Sequence, residues 1–205
     1  MLRWIVFAFV TLAFALSPLD GHAEPAGGPL AEYVAQPDDS YHWVVRHTGA
    51  VGSAEYAELI LTSQTWRDVV WKHQLFLIKP SSMRADTSHA LLFISGGVWN
   101  DEPETGAGRV PRDADRYVAL AEVLATPVAL LLHVPQQPIF DGLYEDAAIA
   151  YTFDQFLRTG DAQWPLLLPM AKSAVRGMDA AQEFARGDWS LDLRTSTTPN
   201  ADCIA

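Results

Sequence analysis

Ala90-Leu91-Leu92-Phe93-Ile94-Ser95-Gly96-Gly97 and, further on, Val128-Ala129-Leu130-Leu131-Leu132 decide the fold class. Both begin with a continuous apolar run of strand length. A strand with one wet face alternates apolar and polar residues. Runs without alternation predict strands covered on both faces, as in a parallel sheet. Between them, Asp113 is placed to cap a helix over 114–125, with Tyr117, Leu120, Ala121 and Leu124 on one stripe. Pro127 stops that helix, so the order is strand, helix, strand.

Upstream, three segments are rich in β-branched and aromatic residues and predict strands over 42–48, 55–63 and 74–78, the last ended by Pro80. Downstream, Pro135, Pro138 and the pair Asp141-Gly142 predict a loop. A helix follows over 144–158, with Gly160 suited to a left-handed C-terminal cap. Pro169 opens another helix to about Arg186, with Met170, Ala174, Met178 and Ala181 on one face. Trp189-Ser190-Leu191-Asp192-Leu193 reads as one more strand. Antiparallel strands followed by βαβα alternation imply an α/β sheet with helices on both faces.

The ends read differently from this body. Arg3, the apolar stretch from Trp4 to Leu16 and the small residues at Gly21-His22-Ala23 predict a signal peptide over 1–23. Its removal would leave no stable membrane insertion, so the chain is expected to be periplasmic or secreted. Residues 24–40 are Pro, Gly and acid-rich and predict a loose lead-in. Residues 41–194 read as one domain or part of one, and 195–205 as an irregular Thr/Ser tail. Fourteen basic residues face 25 acidic ones, which excludes the clustered positive charge that nucleic-acid phosphates need. Cys203 is the single cysteine, so no intramolecular disulfide forms.

The motifs are few. Gly96-Gly97 directly follows a buried strand, where glycine serves either a tight turn or a close backbone approach to a ligand. Trp99 could stack on a ligand beside that turn. His133, at the end of the second buried strand, is placed to line a cleft at the carboxyl edge of the sheet. The remaining histidines are scattered without metal-ligand spacing, and no GxGxxG or Walker pattern occurs, so no metal or cofactor is expected. Asn100-Asp101-Glu102-Pro103-Glu104 matches no calcium-loop pattern and reads as a solvated loop. Most tryptophans read as core. No serine lies in a Gly-x-Ser-x-Gly context. Ser173 follows Lys172 directly, so the two leave a helix on different sides, and Ser173 is expected to pack or to bond back to helix carbonyls.

Tyr144-Glu145-Asp146-Ala147-Ala148-Ile149-Ala150-Tyr151-Thr152-Phe153-Asp154 and the run Trp164-Pro165-Leu166-Leu167-Leu168-Pro169-Met170-Ala171-Lys172-Ser173-Ala174-Val175-Arg176-Gly177-Met178-Asp179 resemble the PhoPQ-activated pathogenicity-related protein family. Leu61 to Trp66, Trp71 to Leu75 and Phe93 to Gly97 fit the same family, so the resemblance spans roughly residues 30 to 190. It implies an exported protein of α/β-hydrolase-like fold. It also implies that Gly96, Gly97 and Val98 could present backbone N–H groups to an oxyanion. The family continues with Gly-Ala-Ser-Lys-Arg-Gly-Trp, a nucleophile-elbow-like segment that this sequence does not contain. The acid and histidine of a hydrolase triad would lie beyond Ala205. The expectation is therefore the N-terminal portion of a hydrolase-like sheet, truncated near the elbow and without catalysis by itself. The alternative is a non-catalytic binding or structural protein using the cleft around Gly96–Trp99 for a small molecule or peptide. Self-association is expected through the sheet edge at 189–193.

Overall fold

The computed structural model describes residues 27–193. Their elements, in chain order, are α1 (Gly28–Ala35), β1 (His42–Val51), β2 (Ala54–Trp66), β3 (Val69–Lys79), β4 (Leu91–Ile94), α2 (Glu102–Thr105), α3 (Ala114–Leu124), β5 (Val128–Leu131), α4 (Glu145–Thr159) and α5 (Leu167–Asp188). The signal-peptide and tail readings lie outside the described residues.

The strands form one sheet in the order β1-β2-β3-β5-β4. The first three make an antiparallel meander, β3 pairs antiparallel with β5, and β5 pairs parallel with β4. On one face Ala57, Leu59, Leu61, Leu75 and Leu131 pack against Ala180, Ala181 and Phe184 of α5. On the other, Tyr56, Phe76, Ile78, Val128 and Leu130 pack against Val118 and Ala121 of α3. Helices cover both faces, and the α/β class follows from this layering. A third cluster joins Tyr33, Trp66, Trp71, Ile139, Ala148 and Leu166 at the end of the sheet where β2 turns into β3. Of the tryptophans, Trp66 and Trp71 are core, while Trp43, Trp99, Trp164 and Trp189 are only half-buried.

Several expectations are corrected. The start of the domain is not loose: α1 packs on α5 and buries Tyr33, whose hydroxyl donates to Gln64 Oε1 at 3.1 Å. Asp113 does not cap α3 through its side chain. It sits in the left-handed region at φ 59° without a capping bond. The buried stripe of α3 is Ala114, Val118 and Ala121, and Tyr117 instead meets Phe93 edge-on at 5.5 Å. On α5 the buried line passes through Ser173, Gly177, Ala180, Ala181 and Phe184 rather than Met170, Ala174 and Met178. Small residues win there because the helix lies close to the sheet. A Cβ on Gly177 would come within 2.9 Å of Leu131 Cδ2.

The largest correction concerns the sheet edge. Trp189–Leu193 is not a strand. It leaves α5 irregularly, the Leu191 N–H bonding back to the Ala185 carbonyl at 2.9 Å and Trp189 packing edge-on against Phe184 at 5.1 Å. The edges are β1 and β4, each with a partner on one side only among the described residues, and on β4 Leu91, Phe93 and Ile94 are exposed. The unbroken apolar run of β4 indicates a strand built for cover, but of the two such runs β5, with Val128 to Leu131 buried throughout, is the one covered on both faces.

Candidate functional site

Parallel pairing of β4 with β5 brings two loops out side by side at the carboxyl ends of the strands, the place where open α/β sheets bind ligands. The ladder persists one step beyond the strands. Ser95 N–H donates to the Leu131 carbonyl at 2.9 Å, and Val134 N–H to the Ser95 carbonyl at 3.2 Å. Trp99 N–H then reaches the Gln137 carbonyl at 3.0 Å and locks the two loops together. Between these anchors, the N–H groups of Gly96, Gly97 and Val98 donate to no acceptor among the described residues. Gly97 has φ 140°, in the region that favours glycine, and a Cβ there would sit 3.0 Å from His133 Nδ1.

His133 is the least ordinary residue of the site. Its backbone is left-handed, φ 64°, which costs a non-glycine residue free energy and clusters at functional positions. Its ring lies edge-on to Trp99, with centroids 5.5 Å apart. Neither ring nitrogen has a hydrogen-bond partner among the described residues, although both are out of solvent. Burial and the nearby positive charge of Arg109 hold the imidazole below its usual pKa, so it is neutral. Neutral imidazole has one donor and one acceptor to offer. The fold therefore brings Gly97, Trp99 and His133 into contact, with Gly96 and Val98 exposed at the rim.

Charge around this cleft is already spent. Lys72 Nζ donates to both Glu104 carboxylate oxygens at 2.8 and 2.9 Å, and Arg109 pairs with Glu102. Glu58 is buried and accepts from Gln74 and from Arg109 N–H, the latter at 2.8 Å. The acidic loop at 100–104 is thus pinned by cations rather than open. No group of three or more His, Cys, Asp or Glu able to hold a metal ion occurs among the described residues.

One constellation was not legible in the sequence. Ser63 Oγ lies 2.9 Å from His73 Nε2 and 2.9 Å from Ser173 Oγ. His73 Nδ1 is 3.0 Å from the His133 carbonyl, and Gln64 Nε2 donates to Ser173 Oγ at 3.1 Å and to the Pro169 carbonyl at 2.7 Å. The carbonyl can only accept, so His73 Nδ1 carries the proton and Nε2 accepts from Ser63. Ser63 in turn accepts from Ser173, and Ser173 from Gln64. Every hydrogen in the chain has one direction. A β2 irregularity between Thr62 and Gln64 aims Ser63 inward, which no periodicity predicts. The Ser63–His73 pair has the spacing of a nucleophile and its base. Yet Ser63, His73 and Ser173 have no exposed surface, and a nucleophile needs access. The network is structural: Ser173 ties α5 to β2 instead of bonding back to helix carbonyls.

Comparison with known proteins follows the same outline. The family model for the PhoPQ-activated pathogenicity-related protein matches residues 30–194. Autocrine proliferation repressor protein A of Dictyostelium discoideum is 35% identical over 170 residues, covering 77% of this chain and 33% of that protein. The chain thus spans about a third of the length of this curated relative. The crystal structure of a "putative acetyl xylan esterase" from Bacteroides fragilis aligns at 12% identity with a TM-score of 0.44, covering 80% of this chain and 42% of that one. That likeness is too slight to add to the topology above. With the family match running from within α1 through α5, the chain belongs to the PhoPQ-activated pathogenicity-related protein family.

Proposed function

We propose that this chain contributes one wall of a hydrolase-like ligand cleft in an exported protein, and that the chain alone does not catalyse hydrolysis. The observation that carries the reading is the pairing of Gly97 and His133. Three unspent N–H groups at Gly96, Gly97 and Val98 adjoin a buried imidazole without partners. Preorganised backbone donors of this kind stabilise a developing oxyanion when a nucleophile is positioned opposite them. The sequence has no Gly-x-Ser-x-Gly serine; of the hydrogen-bonded Ser–His pairs among the described residues, Ser63–His73 is sealed in the core and Ser88–His89 joins sequence neighbours on an exposed loop away from Gly97. Covalent catalysis would need a nucleophile from elsewhere in the longer family architecture.

Purified chain assayed with activated esters and a serine-directed covalent probe tests this. Turnover at the buffer rate without labelling is the expected outcome. Stoichiometric labelling of one serine refutes the reading. A second reading, a binding protein without chemistry, is favoured by the half-buried Trp99, whose ring forms a flat apolar wall beside His133. Ligand binding by the isolated chain, with no turnover, fits both readings. Ligand turnover only after addition of the remaining family segment selects the first.

A further inference from the structure

A second cavity, of about 280 Å³, lies where the β2–β3 turn meets the end of α1 and the start of α5. It shares no lining residue with the Gly97–His133 cleft. Two cations face it, Arg67 from the turn and Lys172 from α5. Lys172 is only 3% exposed. Its ammonium group donates to the Gln36 carbonyl at 2.8 Å and lies 5.6 Å from the Tyr33 ring centroid. An ammonium group has three donors, and the other two find no acceptor among the described residues. Arg67 stacks its guanidinium 3.5 Å from the Trp164 ring centroid and donates one N–H to Asp161 Oδ2 at 2.6 Å. Its Nε is buried and has no partner among the described residues.

The carboxylates lining the cavity are committed. Asp38 Oδ1 accepts from Ser40, and Oδ2 from Thr65 N–H at 3.0 Å. Asp161 Oδ1 accepts from Gln163 N–H at 2.9 Å, and Oδ2 from Arg67. Each carboxylate oxygen is thus already engaged, while Lys172 and Arg67 keep donors that nothing among the described residues accepts. A desolvated cation with free donors is costly unless something accepts from it. Burial draws the Lys172 pKa down, and the charge of Asp38 opposes that fall, so the amine sits in tension between the two. A cation entering the cavity would have to share carboxylate oxygens that already accept from Ser40, Thr65, Gln163 and Arg67. A water could accept one bond, but it would bring no charge.

We propose that this cavity binds the oxyanion group of a small acid, held by Lys172 Nζ and the guanidinium Nη1 of Arg67 against the Tyr33 and Trp66 side of the pocket. Its volume falls just below the usual range for whole-ligand pockets, which suits a head group or a small acid. The shared chemistry is a compact anion with at least two acceptor oxygens, either a carboxylate or a phosphate.

The test titrates the full chain with sodium acetate and, separately, inorganic phosphate, with chloride balancing ionic strength. Amide chemical shifts of Thr65, Arg67 and Gln163 are followed. Saturable shifts in the millimolar range are expected, and the tighter of the two anions identifies the head group. Arg67→Gln is expected to weaken that binding at least tenfold while the rest of the amide spectrum stays in place. Should Lys172→Gln fail to fold, the Arg67 variant still decides, because Arg67 sits on a turn. Linear, unsaturating shifts, unchanged affinity in Arg67→Gln, or saturation by calcium in place of either anion would overturn the proposal.

Discussion

Lowering the pH from 7.5 to 5 should weaken the fold through His73. Burial pushes its imidazole down to about 4, against the hydrogen bond to the His133 carbonyl, which pulls the other way. In the unfolded chain the same ring titrates near 6.5. Between those two values the unfolded state holds a proton that the folded state refuses, so stability rises with pH there and is lost as pH falls. The slope is about 1.4 kcal/mol per pH unit, and the accumulated loss at pH 5 is about 2 kcal/mol. For a domain of marginal stability that is a large share of the total. The physical reason is specific: protonated Nε2 could no longer accept from Ser63, and the one-directional chain from Gln64 to His133 would have to reverse or break. Urea unfolding of wild type and His73→Gln at pH 7.5, 6 and 5 isolates the effect, since all other titrating groups cancel in the difference. The variant is expected to start lower by about 1–3 kcal/mol, from polar groups left without partners. The gap should then narrow by about 2 kcal/mol at pH 5. Parallel pH dependences for the two proteins would refute the assignment of a neutral, proton-refusing His73.

Gly177→Val should cost about 2 kcal/mol, because its Cβ would press into Leu131 on a helix that cannot lift from the sheet; thermal melts of the variant measure it. Gly177→Ala should fall within about 1 kcal/mol of wild type, improved helix propensity offsetting a milder clash. The isolated chain should self-associate through the open edge of β4, and Ile94→Lys should restore a monomer in light scattering; a wild-type monomer would contradict this. Export should leave a mature protein beginning after Ala23, read by N-terminal sequencing of a periplasmic fraction; a start at Met1 would contradict it.

The parts of the fold that rest on local pattern were legible. The apolar run at 128–132 announced a strand buried on both faces, and Gly160 closed α4 in the left-handed conformation as its residue type requires. The part of the sequence reading that depended on neighbours went wrong. Leu91 to Ile94 and Val128 to Leu131 look alike as sequences, yet one is an edge and the other central, because strand order is not encoded in either run. Trp189 to Leu193 has strand composition, but Trp189 finds Phe184 first. Of the site, glycine at 97 and histidine at the end of a buried strand were readable, since both follow from where parallel strands end. The contact between them was not, nor was the Ser63–His73–Ser173 chain, which depends on an irregularity in β2 and on residues far apart in sequence.

The cleft at Gly97 and His133 is best tested by mapping where small ligands bind. Amide and imidazole shifts of the labelled chain would be followed during titration with small aromatic and ester-like compounds. The account predicts that the largest saturable changes fall on Gly96, Gly97, Val98, Trp99 and the His133 ring. The competing location is the apolar groove of about 450 Å³ between Phe93 and the Tyr117, Leu120 and Val123 side of α3. Perturbations confined to that groove, with the His133 ring unmoved, would contradict the account.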